Sequence, residues 1–456
     1  MPLPFDTFVF TTRTLAGRTA RLGYRLLGGG REAAFEETFE LPVDVETSAA
    51  DPADVATALA GLHLIAGVSY WKTCCPARIE IEQDGALSAA DAAFWSEVYD
   101  SGLGELYYRN GLDPAGRARF PGRGEPAAAA GRDAAGPPLV LAGGGKDSVV
   151  AWEIVRATAA GAAFAGAAAP ATLTMLPAGN DWRLAPDRDG RGLRVARRLD
   201  PRLFELNAAG AYNGHVPFSA IIAFAAQLTA VTGGHGEIVA ANERSASAGN
   251  LVAGGVEVNH QWSKSLRFEE LFQDWQRRHL RRVPVYFSLL RPLGELRIAS
   301  LFAAHPEWFG AVTSCNTNFR QQGGGAAGRW CGRCAKCVFA AIVLTPWLDA
   351  AGVAAVFGAS PLAAPDNLPL VRTLLGRGDH KPWDCVGTPG EVAAALWLSC
   401  RRDPDSPLPA LRWFRDSVAP TLEDPEELVR RELAPSPVHR LPDRWRDALA
   451  DHLDAR

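Results

Sequence analysis

Lysine and methionine are scarce in this chain of 456 residues. Only five of its 47 basic residues are lysines, arginine supplies the others, and methionine occurs twice. The composition favours arginine wherever a generic surface cation is enough, so a lysine that persists marks a place that needs a compact ammonium group. The five lysines are therefore the first candidate functional residues: Lys72, Lys146, Lys264, Lys336 and Lys381.

The sequence also lacks features that define whole classes of protein. Net charge is −4, so no excess of basic residues indicates nucleic acid as the main partner. No apolar run reaches the roughly 18 residues of a membrane span. The first residues lack the basic and apolar regions of a secretory signal. Eight cysteines are too few for a disulfide scaffold of this length. We therefore expect a cytoplasmic globular protein without a membrane span.

Composition and hydrophobic periodicity divide the chain into four predicted regions. Residues 1–112 combine alternating, strand-like patterns with helical spacing over 54–64 and 89–99, which predicts a small α+β domain. Residues 113–137 are rich in proline, glycine and alanine and are predicted to be a linker. The last region, residues 346–456, has helical patterns interrupted by proline and is predicted to be helical.

The third region, residues 138–345, alternates short apolar strands with longer helical segments. Strands are predicted at 139–141, 171–176, 203–206 and 237–241, and helices at 148–159 and 216–231. This alternation predicts an α/β fold with an open, doubly wound parallel sheet, because a helix connects each strand to the next parallel one. Open sheets of this kind bind ligands at the carboxyl ends of their strands.

A glycine-rich loop separates the first strand of this region from its helix. It reads Gly143-Gly144-Gly145-Lys146-Asp147-Ser148. Glycines let backbone N–H groups point at one spot, and the following helix adds the positive end of its dipole. The loop is therefore predicted to bind phosphate groups, with Lys146 as a point charge and Ser148 as a hydroxyl donor. A glycine-rich turn without a ligand is the alternative.

The spacing of this loop matches neither a Walker A loop nor a dinucleotide-binding fingerprint. It resembles the Ser-Gly-Gly-x-Asp-Ser signature of the PP-loop ATP pyrophosphatases, with Gly143 in place of the first serine. The resemblance implies a PP-loop fold that binds ATP and Mg²⁺ and cleaves ATP to AMP and pyrophosphate in order to adenylate a substrate. It also implies that the loop holds the ATP phosphates while Asp147 orients the loop or assists Mg²⁺.

Four cysteines cluster towards the end of the third region. Cys331, Cys334 and Cys337 follow a C-x2-C-x2-C pattern, and Cys315 lies upstream of them. Four thiolates with this spacing fit a structural Zn²⁺ ion, and four protein ligands leave no open catalytic position. An iron–sulfur cluster and reactive thiols without a metal are the alternatives. Zinc is favoured because nothing else in the sequence indicates redox chemistry. Lys336, between two of these cysteines, is expected to be structural.

Further polar residues cluster in loops after the predicted strands and in two turns that contain tryptophan and cysteine. At the carboxyl edge of the sheet such residues are placed to bind ligands. Asn242 and Arg244 are candidates for cofactor binding. The candidates for catalysis share a titratable or cationic side chain in one of these clusters: Lys72, His215, His260, Lys264, His380 and Cys385. A helix cap or a packed turn is the alternative for any one of them.

Together these segments resemble the MurL family, the ATP-dependent UDP-N-acetylmuramoyl-L-alanyl-L-glutamate epimerases of bacterial cell-wall synthesis. The resemblance is carried by residues 143–148, 212–217, 242–250, 257–265, 314–319, 330–338 and 381–388. It implies an isomerase that adenylates the glutamate carboxylate of a UDP-N-acetylmuramoyl-dipeptide, removes the proton at Cα and returns it on the opposite face. Cys385 is the preferred proton carrier, because a thiol can invert glutamate without pyridoxal phosphate.

Two other functions remain open at this point. One is another adenylating PP-loop enzyme, a ligase or a nitrile-forming synthase of the 7-cyano-7-deazaguanine synthase type. It would need a source of ammonia, and Pro2 stands where a catalytic N-terminal cysteine of an amidotransferase would follow Met1. The other is a non-catalytic nucleotide-binding module, which the polar clusters disfavour.

Overall fold

A single sheet of nine strands forms the centre of the fold. The computed structural model describes residues 4–83, 87–113, 116–125, 130–160, 169–180, 182–187, 192–318 and 328–455. The strands of these residues are β1 (Thr7–Ala16), β2 (Thr19–Gly28), β3 (Arg31–Glu40), β4 (Arg78–Ile81), β5 (Arg132–Asp133), β6 (Pro138–Leu141), β7 (Ala171–Pro177), β8 (Leu193–Arg198), β9 (Glu237–Ala240), β10 (Leu251–Ala253), β11 (Val256–Val258), β12 (Arg282–Val283) and β13 (Val285–Ser288).

The sheet has a parallel half and an antiparallel part. Its spatial order is β13-β9-β6-β7-β8-β3-β2-β1-β4, and all neighbours from β13 to β8 are parallel. The pairs β8–β3, β3–β2 and β2–β1 are antiparallel, whereas β1 and β4 are parallel. The prediction of an α/β fold with a large, mostly parallel sheet is confirmed. The N-terminal strands extend this sheet through the pairing of β3 with β8.

Helices pack against the sheet, on both faces of its parallel half. They are α1 (Pro52–Ala66), α2 (Val68–Trp71), α3 (Ala89–Gly102), α4 (Gly104–Arg109), α5 (Lys146–Ala160), α6 (Arg202–Ala208), α7 (Phe218–Gly233), α8 (Leu266–His279), α9 (Glu295–Phe302), α10 (Ala335–Leu344), α11 (Ala350–Phe357), α12 (Leu368–Leu374), α13 (Pro389–Arg402), α14 (Pro409–Ser417), α15 (Pro425–Leu433) and α16 (Asp443–Asp454). Two apolar cores result. One contains α1, α3, α7 and α8 with the N-terminal strands, and the other contains α5, α9, α10 and the C-terminal helices.

One predicted strand is wrong, and the strand that takes its place in the sheet was not predicted. Residues 203–206 belong to α6, which begins where the Asp200 carboxylate accepts a hydrogen bond from the Arg202 N–H at 2.9 Å. The neighbouring strand is β8, whose arginines hide its apolar pattern. One of them, Arg197, is buried and forms an ion pair with Glu37 of β3.

The predicted linker is partly built into the fold. Phe120 is buried and packs edge to face on Tyr99, with ring centroids 4.9 Å apart. Strand β5 pairs with β12. A few apolar side chains among glycine, proline and alanine are enough to anchor this segment, which its overall composition does not reveal. Residues 114–115 and 126–129 of the predicted linker lie outside the described residues.

One helical stretch has the length and apolar composition of a membrane span, residues Pro52–Trp71. Inside the fold, 72% of its most apolar window is buried, and α1 packs against α7. The approach is close at Gly61, where an added Cβ would lie 2.6 Å from the ring of Phe224. This stretch is therefore a core helix, and it gives no reason to infer a membrane span.

The C-terminal region is helical, as predicted, and it closes the second core. Trp445 of α16 is fully buried, and its indole N–H donates a hydrogen bond of 3.0 Å to the Glu237 carboxylate at the start of β9. Arg444 forms an ion pair with the same carboxylate. The last helix is thereby attached to a central strand of the parallel half of the sheet.

Candidate functional site

A cavity of about 790 Å³ lies beyond the carboxyl ends of the parallel strands. The glycine loop after β6 and the residues that follow β9 line it, together with side chains from the N-terminal and C-terminal regions. Four of the five lysines reach its wall: Lys72, Lys146, Lys264 and Lys336. The scarce ammonium groups are therefore concentrated at one place in the molecule.

The glycine loop forms one end of the cavity, between β6 and α5. Gly144 has a φ of +84°, which a residue with a side chain rarely adopts. Its carbonyl accepts a hydrogen bond of 2.8 Å from the Thr313 N–H, and the Gly143 N–H donates to the Ser148 hydroxyl at 2.9 Å. The loop is thus held in a turn directly before the N-terminus of a 15-residue helix.

Three carboxylates surround the lysine of the loop. Lys146 Nζ lies 2.5 Å from Asp147 Oδ1 and also forms an ion pair with Glu295 of α9. Carboxylate oxygens of Asp147, Glu243 and Glu295 lie within 4.8 Å of one another. Burial raises the pKa of Glu295 to about 8 although Lys146 acts in the opposite direction. Burial lowers the pKa of Lys146, but the two carboxylates outweigh it and raise that pKa above its ordinary value.

A glutamate, a histidine and a cysteine are linked in another part of the cavity. His260 Nδ1 lies 2.5 Å from Glu105 Oε2, and the His260 ring interacts electrostatically with the Cys385 thiol on the wall of the cavity. Glu105 belongs to α4, His260 follows β11, and Cys385 lies in the loop before α13. His215 stacks beside His260 with ring centroids 4.2 Å apart. We call Glu105, His260 and Cys385 the triad.

The surrounding charges favour the ionic form of the cysteine–histidine pair. Burial raises the pKa of Cys385, but Lys264, Lys336 and His260 outweigh burial and lower it to about 5. Burial lowers the pKa of His260, but its hydrogen bonds with Cys385 and Glu105 raise it to about 9. Near neutral pH the triad therefore contains a thiolate and an imidazolium. Burial holds the pKa of His215 well below its ordinary value, so that this ring is neutral.

The surroundings shift the pKa values of two lysines of the cavity in opposite directions. Burial lowers the pKa of Lys264, but the negative charges of Cys385 and Glu243 outweigh it and raise that pKa above its ordinary value. Lys264 thus stands between the acids near the loop and the triad. Burial lowers the pKa of Lys72 to about 8, and its ammonium group donates to the Tyr212 carbonyl at 3.2 Å. Lys72 can therefore exchange a proton near neutral pH.

Two amide side chains position the triad. The Asn250 carbonyl oxygen accepts a hydrogen bond of 2.8 Å from the His260 N–H, and its amide donates at 2.8 Å to the Pro382 carbonyl. Gln261 donates to the Val386 carbonyl at 3.3 Å. The loop that carries Cys385 is thereby fixed to the segment that carries His260.

Of the predicted cofactor-binding residues after β9, Asn242 lines the cavity and Arg244 does not. The Asn242 amide donates to the Ser288 hydroxyl at 3.0 Å, whereas a short 3₁₀ turn directs Arg244 towards the C-terminal helices. There its guanidinium lies 3.2 Å from the Glu432 carboxylate. In this structure Arg244 therefore attaches the C-terminal region.

His380, a predicted catalytic residue, also lies outside the wall of the cavity. Its Nδ1 is 2.9 Å from the Lys381 carbonyl, and its ring packs against Trp383. The side chain is engaged within its own turn and does not reach the triad. The ammonium nitrogen of Lys381 is buried, and it has no hydrogen-bond partner among the described residues. Burial lowers its pKa, while the nearby charges of Glu243 and Glu391 act in the opposite direction.

The four cysteines of the predicted metal site lie together. Their sulfur atoms are within 4.8 Å of one another, with 3.7 Å between Cys331 and Cys337 and 3.4 Å between Cys334 and Cys337. Tetrahedral zinc with bonds of about 2.3 Å would require sulfur separations of about 3.8 Å, so this donor set fits the ion. Lys336 lies within the cluster's sequence and also lines the cavity. Lys336, one of the cations that act on Cys385, therefore belongs to the same segment as the cysteine cluster.

Sequence reasoning missed three carboxylates of the site: Glu105, Glu243 and Glu295. Glu105 had a signal, because it is a lone charge beside Leu103, Leu106 and Tyr107 and is 4% exposed. A buried carboxylate needs a partner, and the sequence offers one in Arg109, four residues further along α4, whose Nε lies 3.3 Å from Glu105 Oε1. Glu295, at the first position of α9, carried no comparable signal.

The fold is α/β, and one cavity brings the glycine loop together with Cys385 and His260. Two family models match this chain. The MurL N-terminal domain matches residues 2–289, and the MurL C-terminal domain matches residues 311–428. The chain therefore belongs to the MurL family, and the resemblance seen in the sequence is confirmed.

Curated relatives give the class of reaction. Three proteins named UDP-N-acetyl-alpha-D-muramoyl-L-alanyl-L-glutamate epimerase are similar to this chain. The one from a Micromonospora species is 37% identical over 98% of both chains. Those from Salinispora tropica and Xanthomonas oryzae pv. oryzae are each 39% identical, over 86% and 85% of this chain and 84% of their own length. The chain is thus an isomerase of the epimerase type. No solved structure matches it.

Proposed function

We propose that this enzyme inverts the terminal L-glutamate of UDP-N-acetylmuramoyl-L-alanyl-L-glutamate to D-glutamate, with ATP as co-substrate, during synthesis of peptidoglycan precursors in the cytoplasm. The names of its relatives support the substrate. The observation that carries the mechanism is a single cavity lined by both the glycine loop and the cysteine–histidine pair. One group activates a carboxylate, and the other serves proton transfer.

The chemistry explains why an epimerase needs ATP. The α-hydrogen of a glutamate with a free carboxylate is a very weak acid, because the carbanion would lie beside an existing negative charge. Adenylation of that carboxylate removes its charge and makes the carbonyl electron-withdrawing. Deprotonation at Cα, return of a proton on the opposite face and hydrolysis then yield the inverted residue with AMP and pyrophosphate.

The loop end of the cavity would hold ATP in the manner of a PP-loop enzyme. Backbone N–H groups of residues 143–148 and the end of the α5 dipole favour phosphate oxygens. Lys146 adds a point charge, and Asn242 offers an amide on the same wall. Asp147, Glu243 and Glu295 supply the hard oxygen ligands that Mg²⁺ prefers. Bound Mg²⁺ would neutralise phosphate charge.

The triad and Lys72 would supply proton transfer at Cα. Epimerisation needs groups that serve both faces of the carbon, with pKa values close to the working pH. The triad offers a thiolate and an imidazolium, with Lys264 beside them to offset negative charge. Lys72, with a pKa of about 8, lines the same cavity and is the candidate for the other face.

The four cysteines would hold a structural Zn²⁺ ion. Their sulfur separations support this proposal, and complete coordination by protein leaves no place for a substrate. The ion would keep Lys336 directed at the cavity, where its charge favours the Cys385 thiolate.

The test is to incubate the enzyme with the UDP-linked L-alanyl-L-glutamate substrate, ATP and Mg²⁺. We expect D-glutamate after hydrolysis of the product, together with AMP and pyrophosphate. ADP as the product would contradict adenylation. Transfer of the acyl group to a nitrogen nucleophile would favour a ligase, and failure to release AMP would favour a nucleotide-binding module. His380→Ala, which changes a titratable residue outside the cavity wall, is the control variant and should retain activity.

A further inference from the structure

We propose that the Cys385 sulfur accepts the glutamyl group from the adenylate, so that epimerisation takes place on a thioester bound to the enzyme. This inference rests on the proposed function, because it requires an activated carboxyl group. It assigns Cys385 the role of nucleophile in place of the proton carrier expected from the sequence.

The arrangement of the triad is that of an activated nucleophile. A nucleophilic thiol is typically hydrogen-bonded to a base that a third group orients. Here Cys385 and His260 line the same cavity and interact electrostatically, and the Glu105 carboxylate lies 2.5 Å from Nδ1 of the His260 ring. Glu105 is buried, and Asn250 fixes the His260 backbone to the loop of Cys385. The geometry therefore holds the sulfur ready to react.

Position in the cavity also favours attack at carbon. Cys385 lines the same cavity as the glycine loop where the adenylate would form, and the charge of Lys264 acts on both. The activated carbonyl carbon is bonded directly to Cα, so a thiolate placed to remove the proton from Cα also lies close to that carbonyl carbon. Thiolates are strong nucleophiles towards acyl groups with good leaving groups. A thiolate in this position would not remain a base only.

The covalent steps balance without an oxidant or reductant. The thiolate forms an S–C bond to the carbonyl carbon while the C–O bond to AMP breaks, and AMP leaves with the electron pair. The α-proton is removed and a proton is returned on the opposite face by groups other than the acylated sulfur, with neutral His215 and Lys72 available. Water then forms a C–O bond as the C–S bond breaks, which regenerates the thiolate, yields the glutamate carboxylate and releases two protons.

The experiment is rapid acid quenching of the full-length enzyme with ATP, Mg²⁺ and the UDP-linked substrate, followed by intact-protein mass spectrometry. We expect wild-type enzyme to gain the mass of the substrate acyl group, on the peptide containing Cys385, and to lose it on treatment with neutral hydroxylamine. Cys385→Ala should show no such gain. Cys400→Ala is the matched control, because Cys400 lies in α13 with its thiol directed at the Leu411 carbonyl, and it should show the gain.

Two further measurements separate this inference from the proposed function. In Cys385→Ala, ATP–pyrophosphate exchange should continue while release of AMP falls by at least about 100-fold. Two results together would refute the thioester alone. Wild-type enzyme would catalyse ATP–pyrophosphate exchange without forming an acyl adduct, and Cys385→Ala would release AMP at the wild-type rate. Absence of exchange in wild-type enzyme would refute adenylation, and the thioester with it.

Discussion

The loop end of the cavity and the triad hold their charges in different ways. At the loop, Lys146 is already neutralised by Asp147 and Glu295, so a phosphate or a cation can enter only by exchanging partners with these groups. In the triad, the thiolate and imidazolium stabilise each other without any ligand. The loop end of the cavity is therefore arranged for ligand exchange, and the triad is arranged for reaction.

The largest effect is expected from Lys146→Ala at the loop end. The substitution removes the cation for phosphate and leaves Glu295 buried without its partner. Loss of one member of a buried ion pair costs about 3–5 kcal/mol. We expect ATP–pyrophosphate exchange to fall by at least about 100-fold, with a lower free energy of unfolding in urea. Arg244→Ala, which removes a cation outside the cavity wall, should retain exchange. Unchanged ATP–pyrophosphate exchange in Lys146→Ala would show that Lys146 is not needed to bind the ATP phosphates.

Cys385→Ala should separate the two parts of the site. The loop end stays intact, so ATP–pyrophosphate exchange should remain within a few-fold of the wild-type rate. Deuterium uptake from solvent at the substrate Cα should be abolished, because the triad has lost its sulfur. Mass spectrometry of recovered substrate measures the uptake. If deuterium still enters at Cα, the triad is not required for inversion.

Cys334→Ser tests whether a metal supports the triad from outside. Replacing one of four thiolates should reduce bound zinc from about one ion per chain to a small fraction, measured by elemental analysis of purified protein. The melting temperature should fall as well, because the proposed ion would join the segment of Cys315 to α10. Cys400→Ala provides the comparison, since it removes a cysteine outside the cluster. Equal zinc content in the two variants would exclude zinc at this site.

Glu105→Gln should have the mildest effect and should appear in the pH profile. With Cys385 ionising near pH 5 and His260 deprotonating near pH 9, activity should be highest between these values. Loss of the Glu105 charge lowers the pKa of His260, so the basic limb should move to lower pH by roughly one unit. Glu97→Gln, which removes a carboxylate bound to Arg267 on the surface, should leave the limb in place. An unshifted limb in Glu105→Gln would remove Glu105 from the triad.

How far the sequence predicts the site follows from how each part is assembled. The glycine loop consists of consecutive residues, and a strand, a turn and a helix follow from local pattern alone. The cysteine cluster is equally local apart from Cys315. The triad joins residues of α4, of the segment after β11 and of the loop before α13, and only tertiary structure brings these together. His260 and Cys385 were therefore selected as separate candidates, while their link through Glu105 was not foreseen.

The fold shows the same difference between parts that follow from local sequence and parts that depend on tertiary structure. In the parallel half of the sheet, apolar runs predict β6, β7 and β9, whereas β8 and β13 were not predicted. The continuation of the sheet into the N-terminal strands depends on the pairing of Thr38–Glu40 with Ala196–Arg198, which no local pattern specifies. The charged partner Glu37 explains why β8 tolerates a buried Arg197, and this pair is visible only once both strands are in place.

The distribution of lysine has a practical consequence for chemical labelling. Four of the five side-chain amines line the cavity, and the fifth, Lys381, is buried close by. An amine-directed reagent small enough to enter would therefore react first at Lys72, because burial lowers the pKa of Lys72 to about 8, whereas the raised pKa values of Lys146 and Lys264 keep both of them protonated. Protection of Lys72 by a nucleotide or by a muramoyl-peptide would then report occupancy of the cavity. Because arginine supplies the other cations of the chain, few amines elsewhere would compete for the reagent.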